Sequence, residues 1–413
     1  MPACGLDFGT SNSAVALPSG EVLAIEPRSP EARLFRSVLF FPEGEPQTYA
    51  GAEAIERYLD DGEGRFLQSV KAHLPSAAFT GTLIRGRTLR IEDLIALILR
   101  RLRARAEAAC GQTLDEVVLG RPAVFSPTRE IDAMAEERLR AAAELAGFTR
   151  VRFLIEPIAA ALAYEAQLGR DELVLVADFG AGTSDLTLMR LGPSRRSSAD
   201  RRKDVVASTG AWVGGDRFDA AIMKHKLLRF FGAGTTYRVT GQRLPMPTHL
   251  VNKLLSWHEM SFIRERSTQD FLERMLRTTD HPQAIAALQD LVMHNLGYHL
   301  FRAIEAAKVQ LSTSTEARIK FDEARIHLDV RVTRAELERF TAPLLDELTA
   351  CVDRLLGVAQ LSPAAIDAVF LTGGSSQIPS VRRLFAQRFG EDRLRSGDAF
   401  TSVAEGMGRA ARG

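Results

Sequence analysis

Apolar positions along this 413-residue chain follow two periods. Short apolar runs that end in a carboxylate and glycines alternate with longer stretches in which leucine, isoleucine and alanine recur every three or four positions. One short run leads into Asp7-Phe8-Gly9-Thr10-Ser11-Asn12 and an alternating segment around Ala14 to Leu17. The same order returns 171 residues later: Leu173 to Val176, then Asp178-Phe179-Gly180-Ala181-Gly182-Thr183-Ser184-Asp185, then Leu186, Leu188 and Leu191. Each passage predicts a strand, a glycine turn bearing hydroxyls and a second strand. A repeat this far apart predicts two homologous lobes, each opening with a hairpin whose turn faces a shared cleft.

Between the hairpins the pattern is helical. Glu92 to Cys110 predicts a helix closed by Gly111, Ser126-Pro127 predicts the start of another that ends at Gly147, and Glu156-Pro157 opens a third running to about Gly169. Strand-like runs at Val117 to Gly120 and Arg152 to Ile155 alternate with them, which predicts an α/β lobe. From Leu227 to Gln310 strand signals are few, and helices are predicted at His249 to Arg264, Gln269 to Arg277, Gln283 to His294 and Leu296 to Leu311, as a helical insert in the second lobe. Alternation resumes at Ala317 to Phe321 and Ile326 to Val332. Ala368 to Pro379 then reads as a strand, a glycine turn and a helix start. Arg195 to Lys203 reads as a solvated hairpin loop. The predicted domains are an N-terminal lobe over 1–168, with 28–90 inserted, and a C-terminal lobe over 169–413, with about 214–312 inserted.

Composition narrows the function classes. Basic and acidic residues number 53 and 52, so no strong overall field draws nucleic acid or an anionic membrane. Three cysteines without a Cys-x-x-Cys pair argue against a disulfide framework or a cysteine-rich metal site, and no apolar run approaches the roughly 18 residues that span a bilayer. The expectation is a cytoplasmic protein that binds neither nucleic acid nor membrane. Only seven of the basic residues are lysines against 46 arginines, which makes each lysine at a motif position informative.

The two turns carry the candidate chemistry. Glycines let backbone N–H groups approach a phosphate, and the hydroxyls and nearby carboxylates can hold a hydrated Mg²⁺. No Gly-Lys dipeptide exists for a G-x-x-x-x-G-K-[ST] loop, Asp185 stands where a dinucleotide-binding G-x-G-x-x-G needs glycine, and neither G-x-S-x-G nor H-E-x-x-H occurs.

These residues resemble the actin, sugar-kinase and heat-shock 70 superfamily, and the details favour the heat-shock 70 branch. Gly5 to Ser13 looks like its first phosphate loop and Asp178 to Asp185 like its second. Arg121-Pro122-Ala123-Val124-Phe125, Ile155 to Tyr164, Gly214-Gly215-Asp216-Arg217-Phe218-Asp219, Glu305 to Ser312 and Leu371-Thr372-Gly373-Gly374-Ser375 follow in the family's order. The short chain and large helical insert look most like a bacterial YegD-type subgroup. The implied fold is a two-lobed actin-like ATPase of class α/β, with duplicated ribonuclease H-like lobes.

The resemblance implies roles residue by residue. Asp7 and Asp178 hold Mg²⁺ through waters. Gly9, Thr10, Ser11, Asn12, Gly180, Gly182 and Thr183 contact the phosphates of ATP or ADP, and Thr183 also counts among the catalytic residues. Lys71 reaches the γ-phosphate and the attacking water, which Glu156 helps Asp178 orient. Glu156 is equally readable as a first-turn carboxylate favoured by the helix dipole. Gly214, Gly215, Glu305, Lys308, Ser312, Gly373, Gly374 and Ser375 surround the adenosine and its phosphates, and Pro122 couples nucleotide state to the surface.

Some positions depart from the family. Val309 and Gln377 replace common arginines, the first of which stacks on adenine, and Ala181 replaces a glycine. After Ser402-Val403-Ala404-Glu405-Gly406, which matches the last helix of the nucleotide domain, the expectation is that no linker or peptide-binding domain follows. The expected function is a slow Mg·ATPase, a chaperone-like switch read by a protein partner or client. Rivals are a small-molecule kinase of the same fold and a non-enzymatic assembly protein or pseudo-ATPase.

Overall fold

Both hairpins belong to five-stranded sheets of identical design. In the first sheet, β1 (Ala3–Phe8), β2 (Asn12–Ala16), β3 (Phe35–Arg36), β4 (Glu116–Arg121) and β5 (Arg150–Ile155) lie in the order β5-β4-β1-β2-β3. In the second, β6 (Glu172–Phe179), β7 (Ser184–Leu191), β8 (Val205–Ala211), β9 (Ala368–Thr372) and β10 (Leu394–Ser396) lie in the order β10-β9-β6-β7-β8. Strand senses match as well. In each sheet two parallel neighbours flank one side of the leading strand and an antiparallel meander continues on the other. The sequence repeat is thus a duplication of a whole sheet, and the actin-like fold class holds.

This computed structural model describes residues 2–27, 31–61, 63–126, 128–196, 200–260, 263, 266–398 and 400–412, except for the side chains at 61, 257 and 258. The chain divides into two compact units, one of residues 1–213, 347–377 and 381–413, the other of 214–346 and 378–380. Among the described residues no helix is long and apolar enough to cross a membrane.

In the first unit the central strand β6 reads Glu-Leu-Val-Leu-Val-Ala-Asp-Phe and buries Val174, Leu175, Val176 and Ala177, as a strand covered on both faces must. Helix α1 (Ile91–Cys110) buries Ile91, Leu94, Ile95, Ile98, Leu99 and Leu102 on one stripe, and Gly111 closes it at φ +69°. Helix α2 (Arg129–Leu145) begins later than expected. Thr128 is its N-cap without a side-chain cap, while the Ser126 hydroxyl accepts from the Thr128 N–H at 3.2 Å, and Pro127 lies outside the described residues. Helix α3 (Glu156–Glu165) stops short of Gly169. The loop expected to be solvated at 195–203 is instead anchored. Arg201 forks onto Glu165 at 2.7 and 2.8 Å and also reaches Asp204 at 2.8 Å. A carboxylate inside the end of α3 overrides the polar look of the segment, whose residues 197–199 lie outside those described.

The second unit opens with α4 (Gly215–Ile222) and contains α5 (Gly297–Thr313). Its core joins Phe231, Leu250, Leu272, Ile285, Leu288, Leu300 and Ile304 to Ile319 and Val332 of the hairpin Glu316–Glu323/Ile326–Thr333. The helix expected over 249–264 is broken into Thr248–Lys253 and Trp257–Met260, and an unexpected hairpin occupies Thr236–Val239 and Gln242–Pro245.

The last helix of the first unit, α6 (Ser402–Ala410), presses against α3 and the first hairpin. A Cβ on Gly406 would stand 1.8 Å from the Ala159 carbonyl oxygen, and one on Gly5 would stand 2.0 Å from the Gly408 nitrogen. Backbone meets backbone at both places, which fixes α6 against α3 and the strand that carries Asp7.

Candidate functional site

Each hairpin turns in the same way. Gly9, Thr10 and Ser11 connect β1 to β2, and a Cβ on Gly9 would stand 2.1 Å from the Asn12 carbonyl oxygen, so only glycine closes this turn. In the second hairpin the Gly180 N–H donates to the Thr183 carbonyl at 2.9 Å. The serines at the equivalent ends of β2 and β7 act alike. Ser13 Oγ pairs with Ser37 Oγ at 2.8 Å, and the Ser184 hydroxyl donates to the Val213 carbonyl, so each turn is tied to the chain beyond its third strand.

Asp7 and Asp178 precede their turns by two residues and bring their half-buried carboxylates to one cluster. Lys71 enters from the single helical turn Val70–His73, and its ammonium donates to Glu156 Oε1 at 2.6 Å. The two side chains are 10% and 13% exposed, so the pair is shielded from water. Glu156 is held at the first position of α3 by the strand before it and Pro157 after it. Gly120 on the neighbouring strand leaves room, since a Cβ there would meet Glu156 Cγ at 3.2 Å.

Burial raises the Asp7 carboxyl to about 8, with repulsion from Glu156 and Asp178 and relief from Lys71. Burial and then Glu156 raise Asp178 and Asp185 to about 7, and Asp185 adds to the shift of Asp178. Burial alone would push the Lys71 ammonium down, but Glu156 and Asp7 hold it above the ordinary lysine range. Four carboxyl groups therefore face one ammonium, and a divalent cation, by favouring their ionised forms, suits the cluster. Among the described residues no three carboxylate, imidazole or thiol groups converge closely enough to ligate a metal directly, so the fit is to a hydrated ion.

Asp185 was not among the residues singled out from the sequence. Its signal is its register. It lies directly opposite Asp178 in the hairpin, whereas the equivalent partner of Asp7 is Ala14. The Gly373-Gly374 turn lies against the same hairpin. Thr372 is the parallel partner of Asp178, and a Cβ on Gly373, which sits at φ +82°, would stand 2.1 Å from the Phe179 carbonyl oxygen. Ser375 is buried there, and Gln377 donates to Ser376 Oγ at 3.5 Å. Pro122 follows Arg121, whose guanidinium bonds both Asp132 oxygens at 3.0 and 2.9 Å and also pairs with Glu136 on α2.

The other singled-out residues lie in the second unit. Gly214 caps α4, Gly215 begins it, and Lys308 of α5 reaches Asp219 Oδ2 at 2.8 Å and the Gly215 carbonyl at 3.4 Å. Lys308 and Asp219 are 12% and 11% exposed. Burial raises Asp219 to about 6 against the pull of Lys308, and raises Asp216 to about 7 with help from Asp219. Asp219 Oδ1 is buried without a hydrogen-bond partner among the described residues. Glu305 accepts from Arg302 at 2.5 Å, Ser312 is half-buried, and Val309 is 62% exposed.

Comparison with known proteins bears on the family of the chain. A family model described as "Hsp70 protein" matches residues 3–236 and 282–411. The curated "Chaperone protein DnaK" of Thermus thermophilus is 27% identical over 98% of this chain and 59% of its own length. That of Thermotoga neapolitana is 26% identical over 97% of this chain and 58% of its own. The chain spans about three-fifths of the length of these relatives.

Proposed function

This chain belongs to the Hsp70 family, and on that premise we propose that it binds Mg·ATP and hydrolyses it slowly, as a chaperone-like conformational switch in the cytoplasm. The observation that carries the reading is the shielded Lys71–Glu156 pair set among Asp7, Asp178 and Asp185. Lysine supplies a compact charge for a γ-phosphate, and the surplus carboxylates suit a hydrated cation. The relatives' printed name, a chaperone protein, supports the switch.

In this reading Asp7 and Asp178 hold Mg²⁺ through waters. When bound, the ion neutralises charge on the β- and γ-phosphates. The N–H groups and hydroxyls of Gly9 to Asn12 and Gly180 to Thr183 receive the phosphates from the two hairpins. Lys71 sits beside the γ-phosphate, and Glu156 orients the attacking water with Asp178. Catalysis is positioning plus charge stabilisation of an in-line attack, without a covalent intermediate. On the family resemblance alone, Glu305, Lys308 and Ser312 are read as adenosine contacts, Gly214 and Gly215 as phosphate contacts, and Gly373, Gly374 and Ser375 as further nucleotide contacts. The lobes are 1–168 and 169–413, with inserts at 28–90 and about 214–312, and their relative movement is read by a protein partner.

Calorimetric titration with ATP, ADP and AMP, each with and without Mg²⁺, tests the reading. ATP and ADP are expected to bind tightly only with Mg²⁺, and AMP weakly. Equal affinity for all three, or no heat with any, would overturn it.

A further inference from the structure

In the second unit, the hairpin Thr236–Val239/Gln242–Pro245 turns through Thr240 and Gly241, both at positive φ, 45° and 85°, which matches a tight two-residue turn. Its register places Arg238 directly opposite Arg243, so both guanidinium groups leave the same face of the ribbon. Like charges so placed repel, and among the described residues this ribbon has no third strand to offset the cost. A third arginine, Arg277 in the last turn of the helix Arg266–Thr278, lines the same pocket together with Thr236, Thr278, Thr279 and Asp280.

Hydrogen bonds brace the floor of that pocket. The Thr236 N–H and hydroxyl donate to Asp280 Oδ1 at 3.1 Å and Oδ2 at 2.9 Å, and the Thr279 hydroxyl donates to the Thr236 carbonyl at 2.9 Å. Behind it Tyr237 meets Phe271 edge to face at 5.4 Å. Among the described residues Asp280 is the single acid of the lining, and both of its oxygens are taken by Thr236, whose hydrogen bonds hold its carboxyl below the usual range. The guanidinium groups of Arg238, Arg243 and Arg277 have no ion-pair or hydrogen-bond partner among the described residues. Three guanidinium groups against one committed carboxylate leave two positive charges in excess.

We propose that this pocket binds a doubly charged oxyanion of the phosphate class, either free or carried on a phosphorylated peptide. A dianion matches the excess charge, and the planar arginine forks match tetrahedral oxygens bidentately. The threonine-braced floor holds Arg238 and Arg243 side by side before any ligand arrives, so binding replaces their repulsion with shared attraction. The site rests on residues 236–280 alone and does not depend on the nucleotide reading.

The test follows the arginine Nε–Hε signals of the whole chain by NMR during titration with inorganic phosphate and, separately, with a phosphoserine pentapeptide of uncharged flanking residues. The signals of Arg238, Arg243 and Arg277 are expected to move together with one dissociation constant. Arg243→Gln and Arg277→Gln should each weaken binding by about 3- to 10-fold, and salt should weaken it further. Tighter binding of the peptide assigns the tethered source, and equal binding assigns the free ion. Without ligand, Arg243→Gln should melt higher than the wild type because the cross-strand repulsion is gone. Unmoved arginine signals with both probes, or affinity unchanged by both substitutions, would overturn the proposal, and an unraised melting temperature would remove its like-charge premise.

Discussion

Asp178 and Asp185 stand directly opposite each other across the β6–β7 ladder, two carboxylates on one face of a hairpin with Lys71 acting on both. Opposed like charges destabilise a ladder unless a cation separates them. The equivalent pair in the first hairpin is Asp7 and Ala14, so the duplicated scaffold carries the charge conflict in one copy only.

This conflict predicts a pH dependence. Asp7, at about 8, and Asp178 and Asp185, at about 7, hold protons in the folded state that the unfolded chain has already released. Their contribution to stability is full below the unfolded value near 4 and is lost as pH rises through 7 to 8. The melting temperature of the nucleotide-free protein should therefore fall between pH 5 and pH 8 by more in the wild type than in Asp185→Asn. Parallel curves for the two proteins would contradict the assignment.

Lys71→Ala separates chemistry from binding. Losing one preorganised charge typically costs about 10²- to 10³-fold in rate. Single-turnover hydrolysis should drop by that factor while ATP affinity changes far less. Hydrolysis at the wild-type rate would remove Lys71 from the chemistry, and none in the wild type above background would favour a pseudo-ATPase.

Asp7→Asn should behave differently, because the proposed role of Asp7 is to hold the hydrated cation. Both Mg²⁺-dependent nucleotide retention and turnover should weaken together. Measuring ADP affinity across a Mg²⁺ series checks this, and an unchanged Mg²⁺ requirement would move the ion away from Asp7.

Val309 is 62% exposed on α5 beside Lys308, so an arginine there has room to reach a stacked base. Val309→Arg should tighten ATP binding by up to about 30-fold through a cation–π contact. Unchanged affinity in a folded variant would show that α5 does not line the adenosine pocket.

Gly406→Ala should destabilise the fold by about 3 kcal/mol or more, because the added carbon falls 1.8 Å from the Ala159 carbonyl oxygen, where only backbone could yield. A chemical denaturation curve measures it. A loss under about 1 kcal/mol would mean that α6 can shift away from α3 freely.

The sequence by itself determined the duplication, because local chemistry makes those hairpins. An apolar run, a carboxylate two residues before the turn and a glycine that alone tolerates the Asn12 carbonyl are all written in consecutive residues. The resemblance of its motifs to a known family pointed to Lys71 and Glu156, and the rarity of lysine supported the first. Only the tertiary structure decided which groups meet. Lys71 and Glu156 are 85 residues apart and pair at 2.6 Å because the sheet order, not their spacing, brings them together. Asp185 took on weight through cross-strand register, and Arg201 left solvent because Glu165 waits at the end of another element. The hairpin at 236–245 went unread because its strands are short and polar, so periodicity carries little signal there. Patterns of neighbours specify elements, whereas charge pairs and close backbone contacts between distant residues are specified only once those elements pack.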